Sequence, residues 1–89
     1  MTRTALCQSL TDPAEFEQAL IDLGLTFDRM TLKKYTDCTH WHIRQPGSKG
    51  TLEATYTPKD CHLWLETRPG RTSDWQHDVV SNLLAIFQS

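Results

Sequence analysis

The residues of this 89-residue chain that could do chemistry gather between positions 33 and 71. His40 and His42 stand two apart, and in an extended strand both imidazoles leave the same face. His62, Trp64 and Glu66 repeat that spacing, and Glu53 lies between the two groups. A metal ion could take His40, His42 and His62 with Glu53 as a further ligand, and Cys38 and Cys61 fall near the same end. One H-x-H is a weak signature, however, and no C-x-x-C pair accompanies it. The sequence therefore predicts no metal or other cofactor and keeps a histidine site as a second alternative. His42 beside Glu53 could serve as a base with its orienting carboxylate. The same pair is more often a cross-strand ion pair, and no serine or cysteine is placed as an activated nucleophile, so the sequence does not point to an enzyme.

Two binding readings remain. Arg29, Lys33, Arg44 and Arg68 mix with Tyr35 and Trp64, rings that stack on bases, and Arg71 precedes a helix start that could hold a phosphate. Against nucleic acid stand Glu53 and Glu66 on the same face. The alternative is a protein partner, because Trp, Tyr and Arg dominate interface hot spots. The main expectation is a binding or accessory domain that engages a protein, or a second copy of itself as a homodimer. Its contact set is Lys33, Tyr35, His40, His42, Arg44, Glu53, His62, Trp64, Glu66, Arg68 and Arg71. RNA or single-stranded DNA binding is the first alternative.

Charge does not decide between them. Residues 27–71 carry eight Lys/Arg against five Asp/Glu, whereas residues 1–26 carry one against four and residues 72–89 none against two. A cationic middle between acidic ends permits an anionic partner without requiring one. The three cysteines form no disulfide framework, which predicts free thiols and a reducing, cytoplasmic setting. No stretch resembles a signal peptide, and the longest apolar run, Leu83–Phe87, is far below the ~20 residues of a membrane span, so no membrane partner is expected.

The elements that position these residues are legible from periodicity. Asp12 is an N-cap, Pro13 suits the first helical position, and Phe16, Ala19, Leu20 and Leu23 form one stripe ended by Gly24. A second helix follows the capping pair Ser73 and Gln76 and carries Trp75, Val79, Val80, Leu83, Leu84 and Phe87. Between them, Trp41/Ile43, Leu52/Ala54/Tyr56 and Cys61/Leu63/Leu65 alternate with polar residues, as strands do when one face is buried. Another strand precedes a turn at Thr36–Thr39, and residues 1–9 read as an arm. Trp41, Trp75 and Met30 are assigned to the core.

These elements predict a single α+β domain over residues 1–89: a four-stranded antiparallel meander with both helices on one face, in the order α-β-β-β-β-α. Turn positions set the register. Pairing Gln45 with Gly50 and Thr57 with Asp60 places His40, Thr55 and His62 in one row of the polar face and His42, Glu53 and Trp64 in the next. Extension through the first turn sets Tyr35, Lys33 and Thr31 beside His40, His42 and Arg44, Leu32 in the core, and Lys34 beside Trp41.

Overall fold

A computed structural model of the chain describes residues 2–7, 9–31, 37–67 and 74–87. Among these described residues the fold is α+β, with two helices and an antiparallel sheet. Its elements are β1 (Thr2–Cys7), α1 (Pro13–Asp22), β2 (Thr26–Thr31), β3 (Thr39–Arg44), β4 (Leu52–Thr57), β5 (His62–Thr67) and α2 (Asp74–Phe87). The sheet has five strands, not four, in the spatial order β1-β5-β4-β3-β2. The segment read as an arm is an edge strand antiparallel to β5, so the element order is β-α-β-β-β-β-α. That strand sends one large apolar side chain, the fully buried Leu6, into the core, a pattern too sparse to register as alternation.

Helix α1 starts and stops for local reasons. The Asp12 carboxylate accepts from the Ala14 amide at 2.9 Å and caps α1. At the other end Gly24 takes φ +77°, and the amides of Leu25 and Gly24 donate to the carbonyls of Leu20 and Ile21, a Schellman closure with Leu25 buried beyond it. Trp75, Val79 and Leu83 of α2 are buried as the stripe predicts, whereas Ser73 lies outside the described residues.

One core cluster joins the helices to one face of the sheet. Phe16 of α1 meets Trp41 of β3 edge-on at 4.9 Å, and Ile43, Leu52, Ala54, Leu63 and Leu65 line the sheet beneath. Burying each large apolar side chain of this kind contributes about 1.5–3 kcal/mol. Trp41 and Trp75 also satisfy their indole N–H groups, on Glu17 at 2.8 Å and on the Lys49 carbonyl at 2.7 Å.

The registers differ from expectation in instructive ways. β3 and β4 pair as predicted, with His42 opposite Glu53 and Ile43 opposite Leu52. β4 and β5 are offset by two residues: Thr57 faces His62, not Asp60. A two-residue hairpin at Pro58–Lys59 would need a type I′ or II′ turn, hence positive φ at Pro58, which a proline ring forbids. The chain instead makes a four-residue connection, with Asp60 bonded to Thr57 and Cys61 at φ 57°. Cys61 is thus a half-buried turn residue and not the buried strand residue expected.

The β2–β3 pairing is displaced by an odd number, which exchanges faces. Met30 faces His40 and Asp28 faces His42, while Arg29 lies opposite Trp41 on the helical side. Arg29 therefore leaves the polar face and pairs with Glu17 of α1. Met30, assigned to the core, is exposed at the polar face's edge. Leu32, Lys33, Lys34 and Tyr35 lie outside the described residues, and the cation beside Trp41 is Arg29. Among the described residues no helix is long and apolar enough to cross a membrane.

Candidate functional site

The face turned away from the helices is organised in cross-strand rows. One runs through all five strands as Asp28, His42, Glu53, Glu66 and Arg3, and the next as Met30, His40, Thr55, Trp64 and Ala5. These rows replace the predicted ones. Trp64, not His62, stands across Thr55 from His40, and Glu66, not Trp64, stands across Glu53 from His42. His62 is exposed opposite Thr57 and does not join the other histidines. Arg44 is exposed opposite Thr26. Arg68 and Arg71, like Lys33 and Tyr35, fall outside the described residues.

The centre of this face is not the open wet surface that alternation implied. Glu53, Thr55 and His40 keep only 7%, 5% and 9% of their exposure. A buried carboxylate must be compensated, and Glu53 is. Its Oε1 lies 3.1 Å from His40 Nε2 and 3.5 Å from His42 Nε2. His40 Nδ1 is 2.8 Å from Thr55 Oγ1, so both ring nitrogens of His40 have partners. The His40 and His42 rings meet edge-on at 5.1 Å. His40 Nε2, His42 and the Glu53 carboxylate form the one group among the described residues in which three metal-ligating side chains converge, all within 4.8 Å of one another.

A second constellation lies beside the first. Glu66 accepts from the Trp64 indole N–H at 2.7 Å and lies 3.5 Å from the Arg3 guanidinium. That guanidinium sits over the Trp64 ring, 4.9 Å from its centroid. Trp64 is consequently half-buried beneath Arg3, not a bare indole. Arg3 has no counterpart in the sequence reading, because its place on this face depends on β1 being a strand.

Between the two groups is a recess of about 410 Å³ lined by Arg3, Cys38, His40, Thr55, Thr57, Trp64 and Glu66. A smaller hollow of about 190 Å³ lies on the far side of Arg3 and Trp64, bordered by Cys7 and His62. All three cysteines are free thiols. On the helical side, burial chiefly, with the Cys61 thiol next, raises the Tyr56 phenol above its usual value, and its hydroxyl donates to the Leu10 carbonyl at 2.6 Å.

Comparisons with family models, with curated proteins and with solved structures return no match to this chain. The functional reading therefore stands on the site alone.

Proposed function

We propose that this chain is a non-catalytic binding module whose polar sheet face takes a basic segment of a protein partner. The observation that carries this reading is the placement of Glu53 directly opposite Glu66 at the centre of the face. Like charges in facing positions on neighbouring strands are unfavourable unless a cation relieves them. With Asp28 at the end of the same row, three acids oppose two arginines, Arg3 and Arg44, among the described residues of this face. Arg3 illustrates how a guanidinium is held here, stacked on Trp64 and paired with Glu66. The adjoining recess falls in the size range of ligand pockets and offers hydroxyls, an indole and a carboxylate to an incoming basic side chain.

The nucleic-acid reading loses support on the same grounds. Arg29 is turned toward α1, and a phosphate backbone laid across the face would meet both central glutamates.

The test is a titration of isotope-labelled protein at low salt with a hexa-arginine peptide, a hexa-glutamate peptide and a single-stranded oligonucleotide. Amide shifts at residues 53–55 and 64–66 with the basic peptide alone support the proposal. Shifts with the oligonucleotide and not the basic peptide would replace it by nucleic-acid binding. Sedimentation over a range of concentrations determines whether a second copy can act as the partner.

A further inference from the structure

We infer that His40, His42 and Glu53 bind a single late first-row dication, with zinc as the reference ion. This inference deepens the reading of the face as a cation site: it shares Glu53 with that reading, adds His40 and His42, and stands whether or not a peptide binds.

The argument begins with reach. Zinc holds imidazole nitrogens and carboxylate oxygens at about 2.0–2.2 Å, so two ligands of a tetrahedral site lie roughly 3.3–3.5 Å apart. The two His-to-Glu53 separations, 3.1 and 3.5 Å, already match that edge. The remaining edge, between the two imidazoles, lies within 4.8 Å. Closing it requires only that His42 turn. His42 is the half-exposed member of the set, whereas His40 is buried and anchored.

Orientation supplies a second argument. A ligating histidine characteristically donates its other ring N–H to a fixed oxygen, which sets the tautomer and aims the lone pair. Thr55 Oγ1 stands 2.8 Å from His40 Nδ1 and occupies that position. In the bound state the one ring proton of neutral His40 sits on Nδ1, which donates to Thr55 Oγ1. Nε2 is left as the metal ligand, and a neutral ring loses no proton.

Electrostatics gives the third. Glu53 is buried, and Glu66 faces it from β5. A dication at Glu53 offsets both the desolvation of this carboxylate and its repulsion from Glu66. Two imidazoles with one carboxylate favour zinc, cobalt or nickel over magnesium and calcium, which prefer all-oxygen sets. Three protein ligands leave a fourth position for water or another donor. Neither His62 nor the cysteines belong to this set.

The experiment uses untagged, metal-free chain. Calorimetric titration with zinc should give one equivalent, and magnesium should give no heat of binding. In the same protein, zinc should move the imidazole resonances of His40 and His42 and leave those of His62 and His77 in place. His42→Ala, chosen because the side chain is half-exposed and the fold should survive, and Glu53→Gln should each weaken zinc by more than tenfold. Thr55→Val should weaken it by about tenfold through the lost orienting contact, and His62→Ala should change nothing. Absence of zinc binding to the parent chain, unmoved His40 and His42 resonances, or equal affinity in His42→Ala and the parent would each overturn the inference. The peptide titration of the preceding subsection is read separately, so basic-peptide binding without zinc binding defeats only the metal site.

Discussion

His40 and Glu53 make the shorter of the two histidine contacts to the buried carboxylate, 3.1 Å from Nε2 to Oε1, although they are not opposite one another. Thr55 is the residue facing His40, and Glu53 reaches it diagonally along β4. Diagonal neighbours on antiparallel strands lie within range of long side chains. His40 thereby bridges Thr55 and Glu53, and His42, which does face Glu53, contributes the longer contact of 3.5 Å.

That asymmetry predicts unequal costs. Replacing His40 by alanine removes the nearer partner of a buried carboxylate and leaves Thr55 without its ring contact. The expected loss is about 1–3 kcal/mol in urea denaturation. His42→Ala should cost less than about 1 kcal/mol, because the side chain is half-exposed. Equal losses would show that the diagonal contact does not dominate.

The Trp41 indole is buried and donates to Glu17, which also receives Arg29. Glu17→Ala strips a buried N–H of its acceptor and should lower stability by about 1–3 kcal/mol. Arg29→Ala removes only an exposed partner and should lower it by less than about 1 kcal/mol. Denaturant midpoints of the two variants and the parent check the ordering.

Tyr56 sets an alkaline limit. Its folded-state phenol titrates above the ordinary value near 10, burial being the main cause and the Cys61 thiol the next. A group raised in the folded state contributes stability that is complete below its unfolded value and is lost as pH climbs through the folded one. Stability should therefore fall as pH rises above about 10. In Tyr56→Phe that alkaline decline should flatten. At neutral pH the variant should lose about 1 kcal/mol with the hydrogen bond to Leu10. Thermal melts across alkaline buffers provide the measurement.

Cys61 occupies the left-handed region at φ 57°, where a side chain is disfavoured. Cys61→Gly should raise stability by roughly 0.5–1 kcal/mol if backbone relief exceeds the entropy that glycine adds to the unfolded chain. A lower melting temperature would mean that the half-buried thiol contributes more by packing than its backbone costs.

The elements differ in how plainly the sequence announces them. Capping residues and a 3.6-residue stripe specify α1 from within its own segment, and the β3–β4 register follows from the turn signals between Gln45 and Gly50, since a slip of one residue there would exchange the faces. The β4–β5 offset escaped the same test because a slip of two preserves faces, and only the backbone of Pro58 distinguishes the alternatives. Strand β1 carries a single deeply buried side chain, so its existence depends on the edge that β5 offers. With it came Arg3, the cation that caps Trp64. The His40–His42–Glu53 convergence was partly visible, since the β3–β4 register already placed His42 against Glu53. The burial of the group and the exclusion of His62 were not, because both depend on how β5 is seated.

The pairing of Ala5 with Trp64 joins positions almost sixty residues apart. Contacts of such separation close a long loop before they return any free energy, and they form late. During synthesis β1 must therefore wait for about sixty further residues before its partner strand exists. Until then Leu6 has no pocket to enter and β1 has no partner strand, so slow or stalled synthesis would leave β1 open to mispairing.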